Sequence, residues 1–185
     1  MRKSFGAKPF IYPMPVLIIA SYDEAGVPNA MNAAWGSAAD VNRIAIYVSQ
    51  GHKTMKNILA RKAFTVSMAD AKNVVEADYV GVVSGNKQPD KLSRCGWHCT
   101  KSGNVDAPVI DELPMCLECR FVSYDTESEL LIGEIVNVLA DESIVTDGRI
   151  DPRKLNPISY DPVNHDYYTL GEKVGNAFED GKKLM

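Results

Sequence analysis

The chain has 185 residues, of which 45% are hydrophobic and 24% charged, close to the averages of globular domains. A chain of this length can bury one substantial core, so we expect a single domain over residues 1–185. The formal net charge of −4 gives no general attraction to nucleic acid. No apolar run approaches the ~20 residues of a membrane span, and the run Pro15 to Ala20 is shorter than a signal-peptide core. We therefore expect a cytoplasmic protein with no nucleic-acid or membrane partner.

The first fifty residues are typical of strands. Val16 to Tyr22 is an apolar run rich in β-branched residues, which predicts a buried strand, and Asp23 to Gly26 supplies turn residues. Asn29 to Gly36 is predicted as the returning strand, and Arg43 to Ser49 alternates as a third strand should. Three strands this early predict a β-rich core.

The next fifty residues mix helix, strand and loop. Thr54 is a good N-cap for a helix over Met55 to Ala60, and Ala63 to Met68 follows as a strand. Ala71 to Tyr79 predicts a second short helix. Asn86 to Asn104 is polar and contains glycine, which predicts a long loop or short helix near a functional site rather than in the core.

The second half of the chain continues in strands. Met115 to Tyr124 and Glu129 to Leu139 enclose the turn-like Asp125 to Ser128, which predicts an antiparallel pair. Such strands must cover their edges, either by closing into a barrel or by forming a homodimer interface. The charged segment Gly171 to Met185 is expected either to wrap a partner or to stay mobile.

Two short stretches carry the functional signal. Ser49 to Thr54 groups hydroxyls, a glycine, a lysine and a histidine at the predicted start of a helix, which suits a phosphate dianion. Pro28 to Trp35 provides amide groups, small residues and one large stacking surface, which suits the wall of a flat ring. Together they are typical of a flavin mononucleotide (FMN) site, with these candidate residues: Asn29, Met31, Asn32, Ala33, Ala34, Trp35, Ser49, Gln50, His52, Lys53 and Thr54.

The four cysteines allow an alternative interpretation as a small zinc protein, with Cys95, Cys99, Cys116 and Cys119 as ligands. However, residues three apart in a strand point to opposite faces, and Leu117-Glu118 lacks the turn residues that would fold two thiolates onto one ion. We therefore expect no metal site and no disulfide framework.

Several further motifs, in their order along the chain, support a resemblance to a known family. The chain resembles the flavin-reductase-like family of FMN-binding split-barrel proteins, and within it the flavoredoxin branch. The motifs are Met14-Pro15-Val16, Gly26 to Trp35, Ser49 to Thr54, Ser84-Gly85-Asn86 with Asp90-Lys91-Leu92, Leu117-Glu118-Cys119, Gly133 to Val136, and Tyr168 to Gly171.

The resemblance implies a fold and a mode of cofactor binding. The fold would be a β-rich (all-β or α+β), six-stranded antiparallel split barrel with short peripheral helices. It would form a homodimer that holds FMN non-covalently near the subunit interface. Asn29 to Trp35 would line the flavin and ribityl chain, and Ser49 to Thr54 would hold the 5′-phosphate. Lys91 would approach the ligand, and Tyr168 would close the pocket.

The resemblance also implies a function, namely that of an NAD(P)H:flavin reductase or a flavoredoxin-like electron carrier. No catalytic side chain is expected, because the flavin carries the redox chemistry and the protein binds and orients it. NAD(P)H would bind transiently as electron donor, or a redox protein partner would replace it. The alternative is a non-catalytic FMN-binding or haem-binding split-barrel module.

Overall fold

A computed structural model describes all 185 residues. The strands, in chain order, are β1 (Met14–Pro15), β2 (Leu17–Tyr22), β3 (Pro28–Ala33), β4 (Gly36–Asp40), β5 (Arg43–Tyr47), β6 (Ala63–Met68), β7 (Cys99–Lys101), β8 (Pro108–Ile110), β9 (Met115–Asp125), β10 (Leu130–Ala140), β11 (Val145–Thr146), β12 (Arg149–Ile150), β13 (Ile158–Tyr160) and β14 (Tyr167–Thr169). The α-helices are α1 (Lys53–Arg61), α2 (Val74–Val82), α3 (Lys91–Arg94) and α4 (Pro152–Leu155). Short 3-10 helices cover Ala71–Asn73, Glu142–Ile144 and Asp180–Leu184.

Seven strands form one antiparallel sheet in the order β3-β2-β6-β9-β10-β5-β4. At a strand spacing of about 4.8 Å, a flat sheet of this size would hold its edges roughly 29 Å apart. Yet only Ala34 and Trp35 separate the edge strands β3 and β4 in the chain, and such a link reaches about 11 Å. The sheet must therefore curl until its edges meet, which confirms the split barrel. Its main sheet has seven strands rather than the predicted six.

Strand β2 is buried on both faces, which explains its unbroken apolar sequence. Leu17 and Ile19 point into one core cluster together with Phe64, and α1 adds Met55 and Ile58 to that cluster. The opposite face of β2 packs against a second cluster that contains Val16, Ile18, Ala20, Ala77, Val80, Leu92 and Trp97. The second cluster fixes α2 and α3 on the outside of the barrel.

Two predicted elements need correction. Helix α1 begins at Lys53, with His52 in an extended conformation (φ −71°, ψ 139°) as its N-cap. Thr54 was therefore the wrong N-cap prediction, because it lies within the first turn. The predicted strand Asn29 to Gly36 is divided between β3 and β4, since the chain crosses from one sheet edge to the other there.

The segment Asn86 to Asn104 contributes to the core, contrary to prediction. Leu92, in the single turn of α3, is 5% exposed, and Trp97, which follows α3, is 4% exposed; both side chains belong to the second cluster. The predicted antiparallel pair is confirmed as β9 and β10. The segment Gly171 to Met185 is exposed along nearly its whole length.

The cysteines are free thiols. Cys119 belongs to the first core cluster, whereas Cys116 lies outside it and lines a surface cavity with Ile110 and Leu139. The two thiols of this C-x-x-C pair thus have different surroundings. None of the helices has the length and apolar character needed to cross a membrane.

Candidate functional site

Two adjoining cavities lie where β3 faces α1 and α2. The first, of about 210 Å³, is called here the lysine cavity; its lining is Asn29, Met31, His52, Lys53, Thr54, Val80, Gly81, Val82, Val83, Ser84, Gly85 and Lys91. The second, of about 310 Å³, is called the tyrosine cavity; its lining is Met31, Asn32, Ala33, Ala34, Trp35, Tyr47, His52, Asp78, Gly81, Val82, Tyr160 and Tyr167. Because four residues line both, the cavities form one continuous groove.

The lysine cavity is suited to an anion, because it has two lysines and no carboxylate in its lining. Lys91 is only 2% exposed, and its Nζ donates to the carbonyl oxygens of Val80 and Val83, each at 2.9 Å. Those carbonyls belong to the end of α2, where a cation is favourable. Burial lowers the pKa of Lys91 to about 8.

The start of α1 adds further donors to this cavity. The N–H groups of its first turn have no partners within the helix, and the side chain of His52 does not cap them. Thr54 Oγ1 accepts a hydrogen bond from Asn29 Nδ2 at 2.8 Å, so its own hydroxyl proton is available to donate. Lys53 stands at the edge of the cavity, with its Nζ 3.1 Å from Asp23 Oδ2.

Two glycines allow α2 and the loop after it to approach β3 closely. A Cβ at Gly85 would lie 2.1 Å from Asn29 Oδ1, and a Cβ at Gly81 would lie 2.9 Å from Asn32 Cβ. The loop is also held to the start of α1, because Asn86 Nδ2 donates to the Gly51 carbonyl at 3.2 Å. Any larger residue at position 85 would therefore push the loop away from the groove.

The tyrosine cavity is mostly apolar and aromatic. One side is lined by Tyr47, by Trp35 and by the two alanines before Trp35, at the link between β3 and β4. Tyr160 and Tyr167 line the cavity from the small sheet β1-β13-β14, with ring centroids 6.0 Å apart and planes tilted by 54°. Flat aromatic faces next to small residues make a slot for a planar ligand.

Both tyrosines have polar partners. Tyr160 Oη lies 2.7 Å from His165 Nδ1, and Tyr167 Oη donates to Asp78 Oδ1 at 2.8 Å. Burial and the hydrogen bond to Asp78 raise the pKa of Tyr167 to about 12. Tyr167 therefore stays protonated at neutral pH and keeps its hydrogen bond to the Asp78 carboxylate.

The groove brings together ten of the thirteen predicted site residues: Asn29, Met31, Asn32, Ala33, Ala34, Trp35, His52, Lys53, Thr54 and Lys91. Ser49 and Gln50 lie outside its lining. The Ser49 hydroxyl donates to Glu129 Oε1 at 2.7 Å, and the backbone N–H of Gln50 donates to the same oxygen at 3.3 Å. Tyr168 also lies outside the lining and is 56% exposed.

Sequence reasoning missed Asp78, Tyr160 and Tyr167. Tyr167, the neighbour of the predicted Tyr168, lines the groove, because neighbours in a strand point to opposite faces. The pairing of β13 with β1, far apart in sequence, places Tyr160 there. Asp78 lies one helical turn before the groove glycine Gly81, a spacing that could have suggested it.

The split-barrel fold of this chain is that of a known family, which a comparison with family models identifies. The family model described as "Flavin reductase like domain" matches residues 10–156, and the chain belongs to this family. The resemblance seen in the sequence is thereby confirmed.

Individual relatives are similar over most or all of the chain. The structure of flavoredoxin from Desulfovibrio vulgaris (Miyazaki F) is 35% identical in sequence, covers 98% of this chain and 100% of its own, and superposes with a TM-score of 0.94. Flavoredoxin from Methanosarcina acetivorans is 28% identical, covers both chains completely, and has a TM-score of 0.91. The uncharacterized protein YddH of Escherichia coli (strain K12) is 28% identical over 79% of this chain and 82% of its own.

Proposed function

We propose that the groove binds FMN non-covalently and that the protein is an oxidoreductase, acting as an NAD(P)H:flavin reductase or a flavoredoxin-like electron carrier. One observation carries this proposal. The groove joins a cavity with two lysines and no carboxylate to an aromatic slot. FMN has the same two parts, a phosphate dianion and a flat ring, joined by a flexible chain.

The donors of the lysine cavity fit the phosphate. The free N–H groups at the start of α1, the Thr54 hydroxyl and the ammonium groups of Lys53 and Lys91 offer charge and hydrogen bonds together. The deep position of Lys91 strengthens its attraction for an anion, because little water screens it.

The tyrosine cavity fits the ring. Ala33 and Ala34 leave the backbone open to a ligand, and Trp35 and Tyr47 provide flat apolar surface. Bound FMN would supply hydride and electron transfer, and these residues would hold it in place and exclude water from one side. Trp35 and Tyr47 are about half exposed in the single chain, which leaves part of their flat surface open to a ligand.

A homodimer is part of the proposal. Large apolar side chains are exposed on β5, β9 and β10 and in the links before and after β4: Trp35, Val41, Tyr47, Val122, Val138 and Leu139. A second copy of the chain would cover them and the mouth of the groove. Light scattering during size-exclusion chromatography should give twice the mass of the chain, and a monomer would contradict this part.

The experiment that tests the function is a visible absorption spectrum of the purified protein reconstituted with FMN. NADH or NADPH is then added under anaerobic conditions, followed by sodium dithionite. Bleaching of the flavin bands by a nucleotide supports a reductase. Bleaching by dithionite alone supports a carrier supplied by another protein, or a binding module. Failure to retain FMN would overturn the proposal.

A further inference from the structure

The groove is polarised along its length. Lys53 and Lys91 line one end, the lysine cavity, whereas Asp78 is the one acidic residue in the lining of either cavity and lies at the aromatic end. Asp78 takes part in none of the ion pairs of the chain. Its negative charge is therefore not neutralised by a side chain in contact with it.

Tyr167 fixes the position of this charge. Its hydroxyl donates to Asp78 Oδ1 at 2.8 Å, while the ring of Tyr167 packs beside Tyr160 in the same cavity. The other carboxylate oxygen, Oδ2, has no hydrogen-bond partner within the protein. Helix α2 supplies Asp78 from one side and β14 supplies Tyr167 from the other, so two elements hold the carboxylate at the groove.

We infer that Asp78, positioned by Tyr167, sets the relative affinity of the groove for oxidised and reduced flavin. This inference rests on the proposed function. Two-electron reduction with uptake of one proton leaves a negative charge on the flavin ring near neutral pH. A carboxylate beside the ring repels that charge but leaves the neutral oxidised ring almost unaffected, so reduced FMN is bound less tightly than oxidised FMN.

The carboxylate of Asp78 thereby affects the reduction potential of bound FMN. Weaker binding of the reduced form lowers the reduction potential of bound FMN, so the protein delivers electrons at lower potential than free FMN does. Asp78 acts through charge and Tyr167 acts by holding Asp78, which makes Tyr167 a positioning residue. Conservative substitutions of Asp78 and of Tyr167 distinguish the effect of the charge from the effect of its positioning.

The test measures the ratio of the dissociation constants of reduced and oxidised FMN. Fluorescence titration gives the oxidised value, and the midpoint potentials of bound and free FMN, from dithionite titration with reference dyes, give the ratio. Asp78→Asn should lower this ratio about tenfold, which for a two-electron couple raises the midpoint potential by about 30 mV. Tyr167→Phe should shift the ratio in the same direction by less.

Glu76→Gln is the matched control, because it removes the same charge from α2 at a residue outside the groove lining. Its ratio should equal that of the wild type. An unchanged ratio in Asp78→Asn, or an equal shift in Glu76→Gln, would overturn the inference while leaving FMN binding intact. If the wild type binds no FMN, the proposed function fails and this inference fails with it.

Discussion

The Nδ2 of Asn29 donates to Thr54 Oγ1 at 2.8 Å, joining edge strand β3 to the first turn of α1. Both side chains are buried, at 3% and 1% exposure. The contact positions the Thr54 hydroxyl at the lysine cavity and gives a buried amide its acceptor. One hydrogen bond therefore contributes to both stability and the proposed phosphate site.

The first prediction concerns this contact. Thr54→Val keeps the shape of the side chain but leaves the Asn29 amide without an acceptor, which should lower the free energy of unfolding by about 1–3 kcal/mol. FMN should bind at least about tenfold more weakly, since one hydroxyl donor is lost. Urea unfolding and FMN fluorescence titration measure the two effects.

Two controls accompany this variant. Thr54→Ser keeps the hydroxyl and should recover most of the stability and FMN affinity, whereas Thr126→Val, in the exposed β9–β10 turn, should change neither. FMN affinity equal to the wild type in Thr54→Val would show that the hydroxyl does not contact the phosphate.

The second prediction concerns Gly85. An alanine there would place its Cβ 2.1 Å from Asn29 Oδ1, so the loop must move away from the lysine cavity. We expect Gly85→Ala to weaken FMN binding by about tenfold or more, because the displaced loop must then move back before the cavity can hold the ligand. Isothermal titration calorimetry measures this.

Gly103→Ala is the matched control, since a Cβ at that glycine meets nothing within 4 Å. The control should bind FMN as the wild type does. Equal affinities of the two variants would mean that the loop contact plays no part in binding.

The third prediction is a pH dependence that arises from Lys91. Its pKa is about 8 in the folded protein, well below the ordinary lysine value of 10.5, because burial disfavours its charged form. Below that pKa the ammonium attracts phosphate, and above it the attraction is lost. FMN affinity should therefore fall as the pH rises through 8 and above, since bound phosphate itself favours the protonated lysine.

Calorimetric titrations between pH 6.5 and 9.5 would measure this fall. Riboflavin, which lacks the phosphate, should bind with no such dependence. Lys91→Met should bind FMN more weakly at pH 7 and show no step near pH 8. A matching decline for riboflavin would assign the effect to another group.

The fourth prediction concerns Glu118, which is fully buried in β9. Burial alone would raise its pKa, but donors from Ser102, Asn137 and Asn104 outweigh it and hold the pKa below the ordinary value. Two of these bonds, from Asn104 and Asn137 to Oε2, measure 2.8 and 2.6 Å. The carboxylate thus ties the segment before β8 to the barrel.

A carboxyl with a lowered folded-state pKa stabilises the protein above its ordinary pKa of 4.5, and the stabilisation disappears as the pH falls through the lower value. Glu118→Gln should lower the free energy of unfolding by about 2–3 kcal/mol at pH 7. The difference from the wild type should shrink in acid. Urea unfolding from pH 7 to pH 3 would show this, with the exposed Glu142→Gln as control; a constant difference would contradict it.

Local patterns were sufficient for most of the fold. The run Val16 to Tyr22 predicted a buried strand because both faces of β2 are covered, and the two long strands β9 and β10 followed from their turn. The same patterns allowed a short helix in Asn86 to Asn104, where α3 lies, but they did not predict that this segment contributes to the core. Leu92 and Trp97 are isolated apolar residues in a segment without a regular apolar pattern, and only its packing against the barrel shows that they point inward.

The candidate site was predictable where its residues are close in sequence. Asn29 to Trp35 and His52 to Thr54 lie in continuous segments, so their composition indicated the groove. Tyr160, Tyr167 and Asp78 reach it through long-range pairing and helix packing, which the sequence does not reveal. Ser49 is near these residues in sequence but lies outside the groove lining, because its hydroxyl donates to Glu129 on the turn before β10.

The central claim is that the groove holds FMN with its phosphate at the lysines and its ring at the tyrosines. A crystal structure of the FMN complex tests it most directly. We expect the phosphate within about 3.2 Å of Thr54 Oγ1 or the first N–H groups of α1, and the ring beside Trp35. FMN bound outside the groove, or with its phosphate towards Asp78, would contradict the account.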